Sequence, residues 1–181
     1  AKLKQTGIAL EEKRAGLEKI REIDKNNNEI LVALIYLDAM NAAWHPSLEE
    51  SRKFLAIQGR ENKNRLAMGL LEAVILRVAG RSGDAITGLK AFKKYIEDPW
   101  YRNIAECLLD ERSVQSLTGM AAENPQYLLT AHTALGLWNE GAGNRQQAVS
   151  HYRQALGSYL DDMQEYELAR QRIKKLREDR E

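Results

Sequence analysis

The sequence predicts an all-α fold, an α-solenoid of antiparallel helix hairpins stacked side by side, and three observations carry that expectation. Gly80-Arg81-Ser82-Gly83-Asp84-Ala85-Ile86 and Gly143-Asn144-Arg145-Gln146-Gln147-Ala148-Val149 place a glycine, a capping residue and a small side chain at matched spacing. Each run joins two amphipathic segments, so it reads as the inner turn of a helical hairpin. The three prolines all stand beside helix-start signals, and no stretch keeps a two-residue apolar alternation long enough to make a strand. Hairpins of this kind bury their apolar faces only against neighbours, which is why several in one chain imply a stack.

Helices are expected near 7–24, 28–44, 47–58, 62–79, 83–96, 99–108, 111–123, 125–141 and 145–178. Leu10, Leu17, Ile20 and Ile23 mark the apolar face of the first. Asn26-Asn27-Asn28 then reads as a turn and cap opening the second. After His45-Pro46, the run Ser47-Leu48-Glu49-Glu50 has the form of a capping box, with a hydroxyl and a carboxylate three residues apart serving the free N–H groups of a first turn. Gly80 and Gly143 suit the left-handed residue at a helix end, with Ser82 and Asn144 placed to cap the helix that follows. Asp98-Pro99 and Asn124-Pro125 each set a side-chain cap before a proline at the first helical position, where a missing N–H costs nothing. Beyond Arg145 the apolar period continues through Leu156, Leu160, Met163, Tyr166, Ala169, Ile173 and Leu176. One long capping helix of about 30 residues, ~45 Å at 1.5 Å per residue, is the simplest reading. The chain is thus expected to be a single domain over 1–181, with an N-terminal helix in 1–27, about four helix pairs in 28–162 and a helical extension in 163–181.

From Gln126 to Tyr159 the residues resemble a tetratricopeptide repeat, whose Leu-Gly and Ala-x3-aromatic positions are matched by Leu135, Gly136, Ala148 and Tyr152, with Gly143 in the turn and Ala155-Leu156 following. His132, Asn139 and Leu160 stand where that family favours Trp, Tyr and Pro. A second copy covers roughly Leu66 to Pro99, with Ala73, Leu76, Gly80, Ala85 and Leu89 in corresponding places. Ser51 and Ala85 lie 34 positions apart, the repeat length of the family, which places a third copy on Ala39, Ala42, Pro46 and Leu55. Ala85 and Ala148 fall five short of two repeats, so Trp100 to Glu123 is expected to be a shortened pair. The small residues permit close helix approach and the larger ones fill the adjoining holes.

Composition narrows the function. Lys and Arg total 27 against 26 acidic residues, a net charge of +1, which gives no one-signed field for nucleic acid. A single cysteine, Cys107, rules out an intrachain disulfide framework and reads as a small buried hydrophobe. No apolar run approaches the ~20 residues of a membrane span; Ile30 to Ala43 is interrupted by Asp38 and Asn41. Ala1 in place of a methionine leaves room for a signal, an anchor or a further domain upstream, and the compartment is open between cytoplasm and a periplasmic, anchored location.

The residues point away from an enzyme. Gly80-Arg81-Ser82-Gly83 lacks the strand and the Lys-Ser/Thr pair of a phosphate loop, and neither an HExxH helix nor a Gly-x-Ser-x-Gly elbow is present. His132 and His151 are spaced to face each other across the last hairpin, yet two histidines without a third ligand make a poor zinc site. No catalytic residue, metal or cofactor is expected.

What remains is a binding surface. The family resemblance implies a concave groove lined by the first helix of each pair, here Leu70, Val74 and Arg77 from one and Thr130, Thr133, Leu137 and Glu140 from another. Such a mixed apolar and polar set suits a protein or peptide partner held in side-chain pockets. The set lacks the Lys/Asn/Arg constellation with which some family members grip a C-terminal carboxylate. The amphipathic faces at the two ends of the chain are candidate coiled-coil seams for a homodimer. Two other readings stay open: an accessory domain of an enzyme or of a secretion or envelope complex, and an RNA-binding helical repeat.

Overall fold

A computed structural model describes residues 2–24, 27–57 and 64–178, with side chains from Leu10 onward except Asn64. Among them are ten α-helices and no strand: α1 (Lys2–Ile23), α2 (Asn28–Met40), α3 (Trp44–Ile57), α4 (Asn64–Val78), α5 (Ser82–Lys93), α6 (Pro99–Leu108), α7 (Val114–Ala121), α8 (Pro125–Gly141), α9 (Arg145–Leu156) and α10 (Gln164–Glu178). Asn26, the expected helix bounds at 58 and 62, and the last three residues of the extension lie outside the described residues.

One turn is built four times. At Gly80 and Gly143 the backbone is left-handed, with φ of 80° and 77°, and the next amide donates to the carbonyl five residues back: Arg81 to Leu76 at 2.9 Å and Asn144 to Asn139 at 2.8 Å. The same bond recurs from Ala43 to Asp38 and from Glu111 to Glu106, both at 2.8 Å, around Ala42 and Asp110, each with φ of 60°. This 6→1 closure satisfies an orphan carbonyl and reverses the chain. Each copy joins two helices that pack on each other, giving the pairs α2/α3, α4/α5, α6/α7 and α8/α9.

Side-chain caps define several starts. Asn27 accepts from Glu29 and Ile30 N–H, Asp98 from Trp100 and Tyr101 N–H, and Asn124 from Gln126 and Tyr127 N–H. The capping box at Ser47 does not form. α3 begins three residues earlier at Trp44, where Pro46 still falls in the first turn and loses no bond, and the Ser47 hydroxyl is buried and donates instead to the Ile35 carbonyl at 2.8 Å. Ser82 lies inside α5 rather than before it, and neither the Arg81 nor the Asn144 side chain makes a capping bond. The turn closure already positions the chain at both sites.

Small residues sit where two helices nearly touch. A Cβ on Gly136 would lie 2.4 Å from the Tyr152 ring, and Ala148, Ala155 and Tyr152 are fully buried in the α8/α9 hairpin. In α4/α5 Ala85 and Leu89 occupy the corresponding buried places, and Gly69 admits the Phe92 ring. Between hairpins, a Cβ on Gly141 would meet the Arg77–Val78 backbone at 2.6 Å, so α4 and α8 lie against each other at their C-terminal ends.

The single long C-terminal helix is overturned. α9 stops at Leu156, and residues 157–163 turn the chain through Gly157 and through Tyr159 at φ 56° before α10 begins. The reason is burial: folding back seats Leu168, Ala169, Ile173 and Leu176 in the core, which a straight rod would leave in water. α10 packs on α8 and α9 and also on α2, so the contacts α2–α3–α4–α8–α10 return to their start. The apolar face of α10 is therefore used within the chain rather than left as a coiled-coil seam. α1 lies on α2, tied by the Arg14–Asp38 pair at 2.7 Å, with Leu10 and Leu17 against the core and Ile20 and Ile23 exposed.

Candidate functional site

Five of the seven expected groove residues converge. Leu70 and Val74 project from α4, and Thr130, Thr133 and Leu137 from α8, at the three- and four-residue spacing that puts side chains on one helical face. Together with Tyr36 of α2 and Glu165 of α10 they line an apolar seam whose remaining cavity is about 30 Å³, room for roughly two waters. Four of the five are buried and Thr130 is half-buried. Its hydroxyl donates to the Gln126 carbonyl, while Thr133 donates to the Glu165 carbonyl at 3.5 Å. The Tyr36 hydroxyl donates to Glu165 at 2.8 Å, and burial together with that carboxylate holds the phenol well above its ordinary pKa. The first turn of α10 thus roofs the seam.

The other two residues stand elsewhere. Glu140 faces α9 and α10, where it accepts from the Tyr152 hydroxyl at 2.8 Å and from two donors of Arg172, Nη2 and, at 3.2 Å, Nε. The pair is nearly dry, with side chains 9% and 5% exposed, and the Arg172 guanidinium also lies 4.7 Å over the Trp44 ring. Three helices meet at this one carboxylate, and a fourth, α3, covers its arginine partner. Periodicity placed Arg172 among the surface bases of α10, because nothing local signals a partner 32 positions away.

Arg77 turns to a second, larger cleft of about 540 Å³ between the α6–α7 turn and the α8/α9 hairpin. Its guanidinium stacks 4.0 Å over Trp138. Cys107, Asp110, Asn139, Gln147 and His151 complete the wall. The cleft exists because α6 and α7 are the short pair, with 10 and 8 residues against 17 and 12 in α8 and α9. The five-residue deficit between Ala85 and Ala148 was its only signal in the sequence.

His132 and His151 do face each other, Nδ1 to Nδ1 at 3.1 Å. Burial first, then the neighbouring imidazole, lowers His132 to about 4; burial lowers His151 as well. Near neutral pH both rings are uncharged and share one N–H···N contact. Burial raises the Cys107 thiol pKa, which keeps it protonated and unreactive. Among the described residues no three His, Cys, Asp or Glu side chains are grouped to hold a metal ion, and no helix is long and apolar enough to cross a membrane.

The fold and these sites define the class: an all-helical protein of packed hairpins with an apolar seam between α4 and α8 and a polar cleft at the α6–α7 turn. No protein-family model matches the chain, and no curated protein matches it either.

Proposed function

We propose that the chain is a non-catalytic protein–protein interaction scaffold, a tetratricopeptide-like solenoid that receives a partner segment along the α4/α8 seam. The observation that carries the reading is the convergence of Leu70, Val74, Thr130, Thr133 and Leu137, from two helices distant in sequence, on a single seam. The repeated 6→1 turn supports the hairpin stack on which the seam depends.

A partner helix or extended segment enters by shifting the first turn of α10, since the residual space of about 30 Å³ is too small for a side chain of the partner. The bonds it must exchange are few: Tyr36 to Glu165 and Thr133 to the Glu165 carbonyl. The apolar lining then gives the partner its burial, and the threonine hydroxyls give it register.

A photo-crosslinking residue at Thr130, at the rim of the seam, tests this in the source cell against the same residue at Lys90, an exposed position of α5. A discrete protein adduct at position 130 and none at 90 is expected. Equal adducts at both positions, or none at either, would overturn the assignment.

A further inference from the structure

The 540 Å³ cleft at the α6–α7 turn is lined by the Arg77 guanidinium and by the carboxylate of Asp110, an exposed residue. Near it Glu106 pairs with Arg112 at 2.9 Å, and Glu111 with Lys93. Arg77 and Asp110, both in the lining, have no such pairing among the described residues. They feel each other electrostatically, and among the described residues neither is in an ion pair or makes a side-chain hydrogen bond.

Arg77 carries five N–H donors in a planar fork. Its Nε is buried with no hydrogen-bond partner among the described residues, and the Trp138 ring covers one face of the guanidinium, which leaves the two Nη groups as the donors that a ligand can meet. The group is also well anchored, because its backbone lies against Gly141. A carboxylate is the anion whose geometry fits such a fork. Asp110, in the same lining, sits at the left-handed position of its turn, fixed by the Glu111-to-Glu106 backbone bond. That carboxylate disfavours a phosphate dianion and favours a cation. Leu135, Trp138 and Cys107 supply apolar wall to the cleft, and Asn139, Gln147 and Ser150 supply neutral polar groups. The volume falls within the range typical of small-molecule sites, ~300–1,000 Å³.

We propose that this cleft binds a small zwitterion of the amino-acid class, its carboxylate on Arg77 and its ammonium on Asp110. The site is separate from the α4/α8 seam and stands whether or not that seam receives a partner.

Calorimetric titration of the full chain at low salt tests it with glycine, β-alanine, γ-aminobutyrate and ε-aminocaproate, whose charge separation grows in steps. Propionate, propylamine and inorganic phosphate are the single-charge controls. Saturable binding that peaks at one chain length is expected, with each control at least about tenfold weaker. Asp110→Asn keeps a residue that tolerates the left-handed backbone. It should lower the best zwitterion's affinity at least about tenfold, to the level of propionate, with unchanged helical circular dichroism. Arg77→Gln should lower it to the level of propylamine. Propionate or phosphate binding as tightly as the best zwitterion, an Asp110→Asn variant that binds normally, or no binding by any probe at millimolar concentration would each overturn the proposal.

Discussion

Removing the Arg172 guanidinium should cost far more than an ordinary α10 surface charge. In Arg172→Met the Glu140 carboxylate, 9% exposed, loses both arginine donors and keeps only the Tyr152 hydroxyl. Stranding one member of a buried ion pair costs about 3–5 kcal/mol, and loss of the stacking over Trp44 adds ~0.5–1 kcal/mol. Arg172 Nη1 is already buried with no hydrogen-bond partner among the described residues, which offsets part of the loss because the substitution removes that unsatisfied donor. A net loss of about 3 kcal/mol is expected, or roughly 6–12 °C in Tm for a chain of this size. Urea unfolding followed by far-ultraviolet circular dichroism reads it directly. Pairing the change with Glu140→Gln, which keeps an acceptor for Tyr152, should restore most of the loss and give a coupling of at least about 2 kcal/mol in the double-mutant cycle. A single-variant cost under ~1 kcal/mol with additive effects would show that α10 is not fastened by this pair.

Gly136→Ala should destabilise by about 1–3 kcal/mol in the same assay, since the new methyl meets the Tyr152 ring at 2.4 Å and outweighs the gain in helix propensity. Ala42→Gly should stabilise by ~0.5–1 kcal/mol, because it relieves a left-handed alanine at φ 60°; a lower Tm would count against the turn assignment. The His132–His151 pair makes stability pH-dependent. His132 titrates near 4 in the fold against ~6.5 when unfolded. The unfolded chain therefore binds more protons between those values, so its stabilisation is complete above ~6.5 and is lost as pH falls toward 4. The loss reaches about 3 kcal/mol at most. His132→Gln should flatten the pH profile of Tm across this window, and an unchanged slope would refute the role of the pair.

The turns and caps were legible in the sequence because they are local. Gly80, Gly143, Asp98 and Asn124 act on bonds within five residues, and each does what its neighbours imply. Ala42 and Asp110 make the same turn without glycine, and nothing in those residue types announces a left-handed backbone. Ser47 misled because a hydroxyl beside a proline is also a good buried donor, and the Ile35 carbonyl claimed it. Gly157-Ser158-Tyr159 looked continuous with the helix, since the apolar period on either side was intact. Only the need to bury α10 against α2 sets the break. Among the expected groove residues, spacing along one helix puts Leu70 beside Val74 and Thr133 beside Leu137, and all four line the same seam. The fate of Arg77 and Glu140 depended on Trp138 and Arg172, partners that only tertiary structure brings near.

The return of the last helix to the first hairpin changes how the molecule comes apart. A linear row of repeats can lose its end units singly, each departure breaking one interface. Here α10 touches α2, α8 and α9 at once, so peeling away either end strips cover from the other. Loosening at one end is thereby felt at the other, and partial opening gives way to collective melting. Trimming the chain behind Leu156 should on that account weaken the amino-terminal helices as much as the carboxy-terminal ones.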